Sequence, residues 1–563
     1  MKIQDIRDQT NYIFSKTVKK LTNEDVKFCF VGYYPERYGI ARDVVKAGGH
    51  ALIAGGQQGV QTIPDVVQYG LAYDTTGLTL ENKTTRAIIN AIPASEIQNK
   101  KIAMMVYPPL GSDWSRSFHE RNLNTNIVAS NEQNLGLLFE EKGYLASILQ
   151  KAGLVKHMVP SEIVLSTRSE KELRELYKKM KGENSKVVVQ SCFEFSGGGK
   201  GTSILNCEEE FIDNMRQRTG INKVATYIEG PNGNLTAASF NLVPSETGYG
   251  AVKYNIDESK RTTLDIENIL KTAAGLGVLA ENSSGIVTRS TLKAVGDCNL
   301  TSINTNGVGN SLGYVYEEPI RQQIAYIGKN LTTLAAQCGG VGLMGADLIM
   351  DKYGVVKINE INYRQQGPSD KIGRDGEING LPAIQKIGFI SNFADLTDIE
   401  TRDLLQNLSK YSNEISEAYS QSPGRFYLKI CALHEQGYVP AISSLKQGVF
   451  NVSFDRDSNK WNWKNIGSST ENIHDYGTQC PDSGSVIIKV TGGEITAGTP
   501  VQPERQIFRL EGVAQNGSSP IVIQNHKSCV SEKWQPLING LYDDIFGKGY
   551  REKNPLYNSI KMM

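Results

Sequence analysis

The sequence predicts a multidomain α/β and α+β protein, with an N-terminal Rossmann-like α/β domain, a mixed middle part and a C-terminal β-rich domain. Three observations carry that expectation. At 563 residues the chain exceeds what one core buries, so several domains are expected. Its first 130 residues alternate apolar strand-like runs with crossover segments. From about Gly424 to residue 520 it becomes a succession of short alternating strands. These changes of texture place the divisions at 1–130, 131–240, 241–395 and 396–563.

Composition excludes several classes of partner. Lysine plus arginine and aspartate plus glutamate both number 60, so no basic excess favours nucleic acid or an anionic membrane. The eight cysteines contain no C-x-x-C pair and read as reduced thiols rather than zinc ligands or a disulfide framework. The opening MKIQDIRDQTNYIF lacks the apolar core of a signal peptide, and no run is long enough to cross a bilayer. A cytoplasmic protein is expected, acting on small molecules, with a homodimer admissible.

The N-terminal unit is read from KFCFVGYY, the segment Arg37 to Ala47, HALIAGG and KIAMMVYPP. Glu36 and Arg37, where the first strand should end, are candidate substrate contacts or parts of a packed surface turn. From about Glu132 a helical pattern containing Lys142 leads into a strand, and SEKELRELYKKMKG reads as an amphipathic helix with i,i+4 charge pairs. KVVVQSCFEFSGGGKGTSIL then reads as strand, glycine turn, strand. Gly197, Gly198 and Gly199 would let backbone N–H groups approach phosphate oxygens, with Lys200 and Thr202 beside them, or would form a glycine hairpin without a ligand. GGGKGTS lacks the tail and the following helix of a Walker A loop. KVATYIEGPNGNLTAASFNLV is strand, turn, strand, with Thr226, Tyr227 and Ile228 at the turn.

The most informative stretch is GADLIMDKYGVVKINEINYR, Gly345 to Arg364. Two apolar runs flank turn residues at Lys352 to Gly354, so a hairpin sets Asp347 opposite Glu360. Simple alternation puts Val356, Ile358, Glu360 and Asn362 on one face, a charge at the end of an apolar stripe. The alternative is the ordinary solvated face of a hairpin. Two carboxylates and an amide oxygen are hard ligands that suit Mg²⁺.

Asp347, then Glu360-x-Asn362 and Arg364, resembles the metal-binding hairpin of the ATP-grasp superfamily. Its members include D-alanine–D-alanine ligase, biotin carboxylase, glutathione synthetase and the peptide ligases of antibiotic biosynthesis, the last being closest in character. The resemblance implies an ATP-grasp fold that binds ATP and two Mg²⁺ ions, with Mn²⁺ an admissible substitute. Asp347 would hold one ion, Glu360 bridge both and Asn362 complete the second, while Arg364 faces phosphate or a substrate carboxylate. It also implies that Lys142 reaches ATP phosphate and that Thr226, Tyr227 and Ile228 pass the adenine. Asn232 and Asn234 are the nearest polar candidates for the ribose.

One departure stands out. Many members carry a lysine in the strand before the glycine loop, where this chain has Gln190; either Gln190 takes its place as an uncharged hydrogen-bond donor to ATP, or Lys200 in the loop supplies the charge. Gly340-Val-Gly342-Leu-Met-Gly345 matches the dinucleotide fingerprint in letters, but a helix precedes it and a strand follows, the reverse of what that motif needs. Arg289 is a substrate-carboxylate candidate or a solvated arginine. The implied activity is ATP-dependent joining of a carboxylate to an amine through an acyl phosphate, on amino-acid or peptide substrates. The alternatives are another ATP-grasp carboxylase or phosphotransferase, and a nucleotide-binding protein without turnover. No A/V-M-K-M biotin-carrier tetrapeptide occurs.

Overall fold

A computed structural model describes residues 2–32, 38–57, 63, 65–71, 85–107, 126–130, 138–182, 185–192, 201–242, 266–275, 283–434, 436–438, 447–455, 460–469, 471–477, 479, 485–491, 500–501, 506–514, 518–554 and 556. The N-terminal unit is a parallel sheet of β1 (Val26–Gly32), β2 (Ala51–Gln57), β3 (Val67–Leu71), β4 (Lys101–Tyr107) and β5 (Asn126–Ser130) in the order β3-β2-β1-β4-β5. Helix α1 (Ile3–Asn23), which no strand-helix alternation announced, buries Ile6, Ile13, Phe14 and Val18. Helix α2 (Gly39–Lys46) follows β1, and α3 (Thr85–Asn90) buries Ile88 and Ile89 beside the sheet.

Next comes a compact four-stranded antiparallel sheet. Helix α4 (Leu145–Lys151) leads to β6 (Ser161–Leu165), α5 (Glu170–Met180), β7 (Val187–Ser191), β8 (Thr202–Leu205), α6 (Glu208–Gln217) and β9 (Ile221–Thr226). The strand order is β6-β9-β7-β8, and Leu173, Leu176, Phe211 and Met215 of the two helices cover one face. Ser169 and Glu172 form a capping box at the start of α5, the expected amphipathic helix.

The rest of the chain is built on one ten-stranded sheet. Its strands are β10 (Asn232–Asn241), β11 (Ser283–Val295), β12 (Gly307–Ser311), β13 (Gly342–Met350), β14 (Val356–Asn362), β15 (Gly424–Cys431), β17 (Gly448–Asp455), β18 (Lys460–Gly467), β19 (Ser485–Thr491) and β21 (Gln506–Ala514). The order is β14-β13-β10-β11-β12-β15-β21-β19-β17-β18, while short β16 (Gln436–Tyr438) pairs with β20 (Pro500–Val501), and β22 (Ile521–Gln524) with β23 (Lys527–Val530). The C-terminal part is β-rich as expected. It does not stand apart, because β12 pairs with β15, Ser311 facing Phe426, so one sheet crosses the expected boundary at 396.

Helix α7 (Glu318–Gln337) lies on one face of this sheet, where Gly328 sits against Val287 and Leu235. One apolar cluster runs along that face from Leu235, Leu348 and Ile358 to Phe426, Leu428, Ile488 and Leu510, closed by Trp534, Leu537 and Leu541 at helix α12 (Gln535–Phe546). The opposite face receives α8 (Ser369–Ile378), α9 (Ile384–Phe393), α10 (Ile399–Lys410) and α11 (Ser412–Gln421). The polar-apolar helical pattern TDIETRDLLQNLSKYSNEISEAY forms two helices, α10 and α11, that part at Tyr411. Of the cysteines, Cys29, Cys192, Cys338 and Cys431 are buried, and no disulfide occurs among the described residues.

Candidate active site

The β13–β14 hairpin turns at Asp351, whose carboxylate accepts the N–H groups of Tyr353 and Val355, with Gly354 at φ 74°. Its register pairs Asp347 with Glu360 and Gly345 with Asn362. One expectation is overturned here. Leu348 faces Ile358 while Asp347 faces Glu360, so Asn359 is an extra residue, a β-bulge. Val356, Ile358 and Ile361 all enter the apolar cluster, and Glu360 and Asn362 turn to the other face. The carboxylates therefore do not end an apolar stripe; the bulge rotates them off it.

The face they reach is polar. Asn234 of β10, opposite Asp347, donates its side-chain amide to the Asp347 carboxylate, and Lys293 of β11 donates to Asp347 Oδ2 at 2.9 Å. Asn234, one of the two ribose candidates, is thereby tied to the hairpin. Lys142, in the turn that opens α4, holds Nζ 3.6 Å from Glu360 Oε2. Arg364 donates from Nη1 to Glu140 Oε1 at 3.1 Å and to Asn362 Oδ1 at 2.5 Å.

These charges set one another's protonation. Burial works to raise Glu360, but Lys142, Lys293 and Arg364 outweigh it and hold the carboxyl at about 2. Burial raises Asp347, Lys293 opposes it and the Glu360 charge adds to it, leaving Asp347 above the usual carboxylate range. Glu140 is pushed up to about 7 by burial against the pull of Arg364.

The four-stranded sheet supplies another cation. Gln190 of β7 is buried and lies opposite Thr202 of β8 and Lys223 of β9, so these three form one row across the sheet. Gln190 donates weakly to Thr202 Oγ1 at 3.4 Å, and its own carbonyl oxygen is buried without a partner. Lys223 is 1% exposed and donates to the backbone carbonyl of bulged Asn359 at 2.9 Å. Burial first, then Lys142, brings its pKa down to about 8. The carbonyl freed from the ladder by the bulge is thereby satisfied, and an ammonium group stands one residue from Glu360.

Thr226 ends β9, its N–H donating to Pro160, and Tyr227 and Ile228 follow in the connection to β10. Lys186 lies over the Tyr227 ring at 5.4 Å. In that connection Gly230 presses on the hairpin, and a Cβ there would sit 1.7 Å from Met350 O. Gly197, Gly198, Gly199 and Lys200, and likewise Glu36 and Arg37, lie outside the described residues. Arg289 is not a solvated arginine. It is 1% exposed on β11 and donates to the Ser422 carbonyl, away from the hairpin.

Sequence reasoning missed Lys223, Lys293 and Glu140. A lysine inside the buried-type strand INKVAT was the available signal for Lys223, since an unpaired charge in an apolar strand is costly. Lys293 and Glu140 carried none. Among the described residues no three His, Cys, Asp or Glu side chains converge as a metal cluster. The set is two opposed carboxylates with the Asn362 amide at the next cleft-facing position of β14, an all-oxygen donor set compatible with a hard divalent cation that keeps water and phosphate in its remaining positions.

The sequence matches no family model and no curated protein. Among solved structures, the chain overlays biotin carboxylase from Campylobacter jejuni, in a complex with a β,γ-ATP ligand, at a TM-score of 0.49 and 11% identity, covering 95% of this chain and 96% of that one. The biotin carboxylase domain of 2-oxoglutarate carboxylase from Hydrogenobacter thermophilus, with MgADP, ADP and bicarbonate, gives 0.49 and 12% over 95% and 97%. L-amino acid ligase from Bacillus licheniformis gives 0.47 and 11% over 92% and 97%. Overlap at this level is a likeness of chain path and assigns no chemistry.

Proposed function

We propose that the protein is an ATP-grasp enzyme that joins a carboxylate to an amine at the expense of ATP, releasing ADP and phosphate. The observation that carries this reading is the Asp347–Glu360 register, with Asn362 beside it and Lys142, Lys223, Lys293 and Arg364 around it. Asp347, Glu360 and Asn362 would hold Mg²⁺, which when bound supplies charge neutralisation on the β- and γ-phosphates.

The chain's own groups do the rest. Lys142, from the turn that opens α4, and Lys223, from the small sheet, lie near Glu360 and are the cations placed to take phosphate oxygens, with the glycine loop and Lys200 as further candidates. Gln190 and Thr202 line the same row as Lys223 and orient rather than neutralise. Thr226, Tyr227 and Ile228, in the connection between the two sheets, are proposed to pass the adenine. Arg364 is held by Glu140 and Asn362, so its guanidinium is fixed in direction before a carboxylate arrives, which lowers the ordering cost of the reaction. No protein nucleophile is required: the carboxylate attacks the γ-phosphorus, ADP leaves, and the amine then displaces phosphate from the acyl phosphate.

The test is Mg²⁺-dependent ADP release measured against panels of amino acids and dipeptides offered singly and in pairs. The proposal expects release only when a carboxylate and an amine partner are both present. Tight ATP binding with no ADP release under any pair would instead make the protein a nucleotide-binding module without turnover.

A further inference from the structure

The polar face of the large sheet continues well past the hairpin. From Lys293 the opposed residues run Asn310, Tyr427, Glu511 and Lys489 through β12, β15, β21 and β19. Their chain neighbours Phe426, Leu428, Leu510, Ile488 and Val490 all enter the apolar cluster, so these polar side chains share the face of Asp347.

This end of the face is cationic. Glu511 accepts from Lys371 of α8 at 2.6 Å and from Thr491 at 3.3 Å. The Lys371 ammonium and the Arg509 guanidinium lie 5.9 and 5.2 Å from the centre of the Tyr427 ring. Among the described residues Lys489, opposite Glu511, donates only to the Glu471 backbone carbonyl at 2.8 Å. Its pKa is driven down to about 8, first by burial, and then by Lys371, Arg425 and Arg42 of α2 against the support of Glu511.

Two further observations point to a missing anion. Among the described residues neither Lys489 nor Arg42 has a carboxylate within ion-pair distance, and Arg42 Nε is buried without a hydrogen-bond partner. Tyr427, 6% exposed, accepts from Asn310 Nδ2 at 2.6 Å, so its own O–H still needs an acceptor, and none occurs among the described residues. Lys371, Lys489 and Arg42, with a hydroxyl donor, face Glu511 and the buried Asp370 carboxyl, which burial raises against the pull of Arg374, Arg425 and Lys371, and this surplus of buried positive charge is one that an anion would complete.

We propose that Lys371, Lys489, Arg42, Arg509 and Tyr427 form a subsite for an anionic group on the substrate, so that the molecule joined here carries a second carboxylate besides the reacting one. An acidic amino acid, or a peptide with an acidic side chain, has that chemistry. The inference rests on the ligase reading for its identification of the reacting partner. The site itself rests on the cationic face. A phosphorylated side chain would present the same charge, and the two sources are separable by experiment.

The experiment is ADP release with acids matched in shape but not charge: L-glutamate against L-glutamine, L-aspartate against L-asparagine, and O-phosphoserine against serine. The acidic member of a pair should have a KM lower by about tenfold to a hundredfold, the span expected for charge-assisted hydrogen bonds. Lys489→Met and Lys371→Met should erase that preference while the KM for ATP stays put. Glu511→Gln should move it the other way, tightening the acidic member, and so guards against simple misfolding. Preference for phosphoserine alone would assign the subsite to phosphate and overturn the second-carboxylate assignment. Equal KM values within every pair, or a preference that survives in both lysine variants, would overturn the subsite. If no acid supports ADP release, the ligase reading fails, and calorimetric titration of glutarate against glutaramate decides the subsite alone. Tighter glutarate binding that Lys489→Met abolishes keeps it, and indistinguishable titrations remove it.

Discussion

The two ends of the polar sheet face handle charge in opposite ways. At the hairpin each carboxylate has a cation of its own: Asp347 has Lys293, Glu360 has Lys142 and Glu140 has Arg364. At the far end, Lys371, Lys489 and Arg509 act together on Glu511, and Lys371 also on the buried Asp370 carboxyl. Paired charges can exchange partners at small net cost, the carboxylates passing to a divalent ion and the lysines to phosphate. Excess charge of one sign can only wait for a ligand of the other. A face built this way suits a reaction in which a metal-bound polyphosphate and an acid must lie side by side.

Both ends belong to one continuous sheet, and the largest expected effect is the loss of that continuity. Trp534 is 1% exposed and packs edge-on to Phe426 at 4.9 Å on the apolar face. Trp534→Ala should cost about 3–5 kcal/mol, with both ends unfolding in the same denaturant transition. Two separate transitions, one leaving MgATP binding intact, would divide the sheet into independent halves.

The next effect is at the hairpin. Gly230→Ala places a Cβ against the Met350 carbonyl, so the connection from β9 to β10 must move, at a cost of about 1–3 kcal/mol. The expected signature is lowered thermal stability together with weakened ATP binding, while a fully wild-type ATP affinity would separate this contact from the nucleotide site. Lys223→Met should raise the KM for ATP by about tenfold, the value of one charge-assisted contact. It also strips the Asn359 carbonyl of its donor, so the loss of that hydrogen bond, about 1 kcal/mol, opposes the relief of removing a buried charge, and apo stability should change little.

A smaller effect follows from the same residue. Because Lys223 has a folded pKa of about 8, below that of an unfolded lysine, its charge is lost as pH rises through that value. ATP affinity should therefore fall between pH 7 and 9, whereas apo stability should rise from about pH 8 towards the unfolded lysine value, where the unfolded chain holds the extra proton. In Lys223→Arg the ATP profile should be flat across that range. A wild-type profile equally flat would remove Lys223 from the nucleotide site.

The hairpin was legible because its signals are local: turn residues from Asp351 to Gly354 and alternation on either side fix which residues face each other. The bulge at Asn359 was not, since an extra residue leaves no mark in an alternating pattern. Only the burial of Ile358 and Ile361, three apart, reveals it. Lys293, Tyr427 and Glu511 were hidden for a different reason. Alternating polar residues in a strand read as a solvated face, and only the helices α8 to α11 laid over that face make it an interior. The joining of Ser311 to Phe426 links segments more than a hundred residues apart, which no local periodicity encodes. The absent lysine at Gln190 was visible, yet the buried ammonium on the neighbouring strand needed the pairing of Gln190 with Lys223.

The central claim is that the opposed carboxylates of the hairpin, and not the far end of the face, activate ATP. Mg²⁺-dependent ADP release by the wild type, Glu360→Gln and Glu511→Gln, each with saturating acid and amine, tests it most directly. The expected result is a loss of about a hundredfold or more in Glu360→Gln with the fold retained, and turnover preserved in Glu511→Gln. Undiminished ADP release by Glu360→Gln would contradict the account.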